Sequence, residues 1–285
     1  MTPVLEVAMP LDLGRTFGFL RMGQLDPTCT LTDDRFTKTF AIDDHRVTRH
    51  QLVVSGQVIR VTTEGDPEGT GRWSSALAVD DGHDTFTPQR QHLVLRRLVK
   101  FLPGLRFVRI PWLFDFACGV VLQQRVRYQE AIAQYRGLVD RYGSTTELGA
   151  VFPSAHQLAR LVPAQLQELG IDMRRATTLL RLAREHATHQ IFACERPELD
   201  RRLLATLGVG EWTVGMLFAY GGGDVDAVPV GDLHLPHTIC KVFANERRGD
   251  DARMLQLLEP YAGHRARVVR LILHAVFHAP HLLRP

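Results

Sequence analysis

The chain has 285 residues, 45% of them hydrophobic and 23% charged, a composition ordinary for a globular protein of one large domain or a few small ones. With 34 basic and 31 acidic residues the net charge is +3, which permits a nucleic-acid partner without demanding one; any such footprint has to be local. No apolar run approaches the ~20 residues that span a bilayer and no basic stretch leads into an apolar one at the start, so the expectation is a soluble, intracellular protein without a membrane partner.

In chain order, Asp12 is placed to cap a short helix carrying Phe17, Phe19 and Leu20. Phe36 to Ile42 alternates and stops at Asp43-Asp44. Gln51 to Val54 and Gln57 to Thr62 follow, separated by Ser55-Gly56, a hairpin signal. Gly65-Asp66-Pro67-Glu68-Gly69 reads as a turn. Residues 1–90 therefore form an expected N-terminal antiparallel β-sheet domain, the β part of an α+β fold.

From His92 the strand signal fades. Leu93, Leu95, Leu98, Val99 and Leu102 suit a helix ended by Pro103-Gly104, and residues 114–142 read as one long helical region. Ser154 to Gln157 is a capping box opening a helix to Leu161. Further helices are expected over 163–169, 173–187 and 195–207, so that residues 91–285 make an all-helical body. The arginines at Arg174-Arg175 and between Arg265 and Arg270 read as solvated faces.

Cys29, Cys118, Cys194 and Cys240 lie far apart with no C-x-x-C. That spacing predicts free, mostly buried thiols and no zinc site or iron–sulfur cluster. The thirteen histidines show no H-E-x-x-H spacing.

The densest signal is Leu207-Gly208-Val209-Gly210-Glu211-Trp212-Thr213, with Asp232 twenty residues after Trp212 in Pro-Val-Gly-Asp-Leu. Glycines permit positive φ and close approach of another backbone. The N–H groups that open the following helix are unpaired, at a positive dipole end, and attract an anion such as a DNA phosphate. Asp232 follows Val230-Gly231 near the start of another helix. It can cap that helix or, as a carboxylate, stabilise a cationic sugar and deprotonate an attacking water.

This pattern resembles the helix–hairpin–helix DNA glycosylase superfamily, and within it the bacterial 3-methyladenine DNA glycosylase II branch. Leu207 stands where the family has Pro in its L/F-P-G-I/V-G-x-W-T-A signature. Leu122-Gln123-Gln124-Arg125-Val126 is similar to its L-G-Q-x-V/I segment, Leu169-Gly170-Ile171 with Arg175-Ala176 to a second, and Gly18-Phe19-Leu20 to a G-F-L element of its sheet domain.

The resemblance implies a two-lobed helical body with the helix–hairpin–helix at about 195–221 and a DNA cleft between the lobes. It implies a monofunctional enzyme that flips an alkylated purine out of damaged double-stranded DNA and hydrolyses its N-glycosidic bond with Asp232, leaving an abasic site. Trp212 occupies the place where lyase-type members carry a nucleophilic lysine. Gly208, Val209, Gly210 and Thr213 would bind phosphate. Trp212, Gln124, Phe19, Met216 and His264 would line the base pocket, with Met216 standing for the family's Tyr and His264 for its pocket Trp. Arg125 is the candidate to fill the gap left by the flipped base. The carbonyls of Leu204, Thr206 and Val209 would hold Na+ or K+, with no other cofactor required. A monomer in the cytoplasm, associated with the nucleoid, fits this reading. The alternatives are a lesion-binding protein of the same fold without activity, and a lyase.

Overall fold

The computed structural model describes residues 4–8, 10–67, 69–77 and 81–283; Glu68, in the turn expected after the third predicted strand, lies outside them. A five-stranded antiparallel sheet is made of β1 (Val4–Ala8), β2 (Cys29–Leu31), β3 (Arg35–Ala41), β4 (Val47–Ser55) and β5 (Val58–Glu64), in the order β1-β5-β4-β3-β2. Ser55 pairs with Val58, so the tight turn is Gly56-Gln57, one residue later than the sequence suggests, with Gly56 at φ +61°. Alternation along the strands sends Phe36, Phe40, Leu52, Ile59 and Val61 inward. They meet α1 (Leu13–Phe17), capped by Asp12 through the Arg15 N–H at 2.8 Å, and α2 (Gly69–Leu77). Phe17 stacks on Phe36 at 4.9 Å and meets Trp73 edge-on at 5.8 Å.

The rest of the chain supplies α3 (Leu93–Phe101), α4 (Phe114–Leu122), α5 (Tyr128–Tyr142), β6 (Ser144–Thr146), β7 (Gly149–Val151), α6 (Ala155–Ala159), α7 (Pro163–Gln167), α8 (Met173–His189) and α9 (Arg196–Ala205). It ends with α10 (Glu211–Tyr220), α11 (Leu235–Ala244), α12 (Asp251–Leu258) and α13 (Arg265–His278). The capping box at Ser154 and Gln157 is present. The α+β class and the helical second part stand as expected.

Four expectations are corrected. The helical region 114–142 is two helices, broken at a turn where Arg125 takes φ +57°. The body is not all-helical, because β6 and β7 form a small ribbon whose Ala150 carbonyl accepts the Thr39 hydroxyl of β3. The core does not divide at residue 90: one apolar cluster joins the sheet to α4–α10, and a second gathers α3 with α11–α13. The arginine runs are not simply solvated. Arg175, Arg267 and Arg270 are buried. Arg175 donates to the Leu122 carbonyl at 2.6 Å and to Gln134 at 2.8 Å. Arg267 pairs with Asp81 at 3.1 Å, beside Arg106 at 2.8 Å.

One charged pair pins the sheet to the helical body. Lys38, inward on β3, is 1% exposed; its ammonium lies 3.1 Å from Asp115 at the start of α4 and donates to Thr28 at 2.9 Å. All nine residues of α4 are buried, so Asp115 has little water to replace a lost partner. Lys38→Met is expected to destabilise the protein by about 3–5 kcal/mol by stranding the carboxylate. Lys38→Met with Asp115→Leu should recover most of that loss; urea denaturation of the three proteins checks it.

Candidate functional site

The hairpin between α9 and α10 is built around one glycine. Gly208 has φ +101°, and a Cβ there would sit 2.0 Å from Thr178 Oγ1 on α8. Close approach of hairpin to helix thus requires a residue without a side chain. The Val209 N–H closes the turn on the Thr206 carbonyl at 2.9 Å, and the Val209 side chain is buried. Arg181 of α8 donates to the Leu207 carbonyl at 3.3 Å, while the Leu207 side chain projects outward, 69% exposed. Gly210 caps α10 in an extended conformation with open space where a Cβ would be. Among the described residues the N–H groups of Gly210, Glu211 and Trp212 have no acceptor, which leaves the helix start free to take an anion.

Gln124, expected to line the base pocket, is tied to the hairpin. Its amide nitrogen donates to the Gly208 carbonyl at 3.1 Å and to Thr213 Oγ1 at 2.9 Å. Both amide hydrogens are spent on tying the end of α4 to the hairpin. Thr213 is buried with its hydroxyl in that tie, so only its backbone remains for a phosphate. The next residue, Arg125, is exposed on the turn.

Asp232 is held from two sides. Oδ1 accepts the N–H groups of His234 and Leu235, each at 2.8 Å, at the start of α11; Oδ2 accepts the indole N–H of Trp212 at 2.8 Å. Capping and placement of the carboxylate are therefore one arrangement. An ionised carboxylate offers about four acceptor positions. Three are filled here, and one remains on Oδ2.

On α10, Trp212, Met216 and Tyr220 recur every fourth residue and are partly exposed, while Thr213, Leu217, Phe218 and Ala219 are buried; a helix repeats on that spacing. This stripe borders the seam between the two apolar clusters, with Tyr220 packed against both. Phe19 meets Tyr220 edge-on at 5.3 Å and Phe116 at 5.2 Å. Tyr220 and the buried Arg270 behind it escaped the sequence reading, although the spacing from Trp212 was available in it.

His264 makes no ring contact with Trp212, Phe19 or Tyr220 among the described residues. Its ring packs 5.0 Å from Phe86 and against Gly82, whose Cβ would lie 2.8 Å from it. Burial, with Arg267 nearby, holds its pKa below the ordinary histidine value. The carbonyls of Leu204 and Val209 accept no hydrogen bond among the described residues, and that of Thr206 accepts one. The free oxygens of Leu204 and Val209 are hard donors of the kind a small cation takes. Cys29, Cys118 and Cys240 are buried and Cys194 partly so, all free.

Comparison with known proteins gives one consistent result. The HhH-GPD superfamily of base excision DNA repair proteins matches residues 118–262. The DNA-3-methyladenine glycosylase of Bacillus subtilis is 22% identical over 266 residues, 86% of this chain and 88% of that protein. A probable bifunctional transcriptional activator/DNA repair enzyme AlkA of Mycobacterium tuberculosis is 33% identical over 149 residues, 50% of this chain but only 29% of that protein. The 3-methyladenine DNA-glycosylase structure from Archaeoglobus fulgidus superimposes with a TM-score of 0.77 at 16% identity, covering 96% of this chain and 99% of that one.

Gly208→Ala should lower stability by about 2 kcal/mol or more, from strain at positive φ and the clash with Thr178. Adding Thr178→Ala should return part of the loss, measured by thermal unfolding of the single and double variants.

Proposed function

The chain belongs to the HhH-GPD superfamily of base excision DNA repair proteins, and from that premise we propose that it is a monofunctional DNA glycosylase for alkylated purines. It binds damaged duplex DNA, takes a base of the 3-methyladenine type out of the stack, and hydrolyses the N-glycosidic bond to leave an abasic site. A monomer acting on DNA in the cytoplasm, at the nucleoid, completes the proposal. The observation that carries it is the bond from the Trp212 indole to Asp232, which fixes a carboxylate with one open acceptor position beside a hairpin that offers free N–H groups.

Loss of the base makes the sugar cationic at C1′. The Asp232 carboxylate stabilises that charge, and the open position on Oδ2 takes a proton from the attacking water. The donors of Trp212, His234 and Leu235 keep the group aimed without reorganisation during the reaction. Phe19, Met216 and the Trp212 ring supply apolar walls for the extruded base. Arg125, on its exposed turn, fills the gap in the duplex. Gly208, Val209 and Gly210 present backbone to phosphate, and Na+ or K+ held by Leu204, Thr206 and Val209 carbonyls would add a positive charge there.

A lyase needs an amine at the sugar. Lys38, Lys100 and Lys241 are the chain's three lysines. Lys38 is buried in its ion pair, and Lys241 bonds Asn245 at 2.7 Å.

Asp232→Asn is expected to slow release of 3-methyladenine and 7-methylguanine from methylated duplex DNA by about a hundred- to thousandfold. Equal release by variant and wild type removes Asp232 from the chemistry, and binding of an abasic analogue without release of any base by the wild type points to a lesion-binding protein instead. Trp212→Phe keeps an aromatic ring but deletes the donor; a loss of about ten- to hundredfold in the single-turnover rate is expected, with thermal unfolding followed in parallel.

A further inference from the structure

Arg270 is an unusual neighbour for a site that handles charge. It is 4% exposed, and no carboxylate pairs with it among the described residues. Its guanidinium donates to the Arg15 carbonyl at 2.8 Å and reaches the carbonyls of Thr16, Arg106 and Ala219 at 3.4 Å. The guanidinium carbon lies 4.5 Å from the Phe107 ring centre, 5.1 Å from that of Tyr220 and 5.4 Å from that of Phe19. Burial lowers its pKa to about 10, so it stays a cation at neutral pH. The Tyr220 ring packs against this guanidinium, and its hydroxyl has no hydrogen-bond partner among the described residues. Burial raises the phenol pKa; Arg270 pulls it down and the charge of Asp232 pushes it up. The phenol is thus a donor that feels both charges, and its ring forms part of the seam.

The chemistry of excision gives such a pair something to act on. When the bond from C1′ to the base nitrogen breaks, its electron pair goes to the base. Whatever charge the base began with, it becomes one unit more negative as the sugar becomes one unit more positive. Water oxygen then bonds C1′ and gives its proton to Asp232. A cationic alkylated base departs neutral and needs no proton. A neutral base departs as an anion and takes its proton from solvent, so a donor already in place lowers the barrier.

We propose that Tyr220 is the residue that receives the leaving base, its hydroxyl donating to the base edge, and that Arg270 acts through it as the positive pole opposite Asp232. This rests on the excision reading above and deepens it: Tyr220 sets the balance between neutral and cationic leaving bases.

The test compares single-turnover release of hypoxanthine, a neutral base, and 7-methylguanine, a cationic one, from otherwise identical duplexes. Tyr220→Phe should slow hypoxanthine release about ten- to hundredfold and 7-methylguanine release by less than about threefold. Arg270→Gln should shift the ratio the same way, and Arg270→Lys, which keeps the charge, should restore it. A general loss of folding lowers both rates together and cannot mimic the change in ratio. Equal losses on the two bases, or release of 7-methylguanine alone by the wild type, overturn the proposal and leave the excision reading standing. Wild-type protein that releases neither base overturns both.

Discussion

The indole N–H of Trp212 reaches Asp232 across 2.8 Å, and through that bond the carboxylate belongs to two helices at once. Its other oxygen caps α11, so it cannot turn without giving up a helix terminus, and it cannot move away without leaving an indole N–H short of its acceptor. Each loss costs on the order of 1–3 kcal/mol. A carboxylate held this way is aimed before any ligand arrives, which is where electrostatic stabilisation draws its strength. The apparent contest between a capping aspartate and a reactive one has no loser here, because the same two N–H groups serve both.

The hairpin's position depends on α4, which works as a strut. At its beginning Asp115 meets Lys38 of the sheet; just past its end Gln124 bonds Gly208 and Thr213. From Phe116 to Leu122 every residue is buried. The sheet ends at Glu64 and the hairpin turns at Gly208, yet only one buried helix separates them in space. This gives the N-terminal sheet a mechanical part in the site beyond presenting Phe19. It also explains why the core does not part at residue 90, since α4 must belong equally to both sides.

Much of this was legible in the residues. Alternation in β3–β5 and the Gly56 turn located the sheet; Asp12 and Ser154 announced their helices; the spacing of Gly208, Gly210, Trp212 and Asp232 marked the site. What was lost depended on side-chain direction or on contacts from afar. Nothing between Leu122 and Arg127 is Gly or Pro, so the break at Arg125, at φ +57°, carried no local signal. β6 and β7 are three residues each, too short for alternation to register, and are fixed by the contact with β3. Motif order put His264 beside the pocket, but Phe86 and Gly82 take its ring elsewhere. Gln124 was found for its place in a motif, while its bonds to Gly208 and Thr213 carried no signal in the sequence.

Arginine run 265–270 misled for a physical reason that bears on the site. A charged face is normally solvated, yet a guanidinium is planar, weakly hydrated and able to lie over rings while bonding carbonyls. Arg267 uses Asp81 for balance; among the described residues Arg270 meets rings and carbonyls and no carboxylate partner. An uncompensated buried cation raises the energy of anything positive placed near it and lowers that of anything turning negative. Beside a bond that breaks heterolytically, that asymmetry opposes binding of a cationic base and favours its departure. Asp232 has the opposite preference on the sugar side. With both in place, charge separation across the seam is favoured at each end, and selectivity passes from stacking strength to the Tyr220 hydroxyl, which feels both charges.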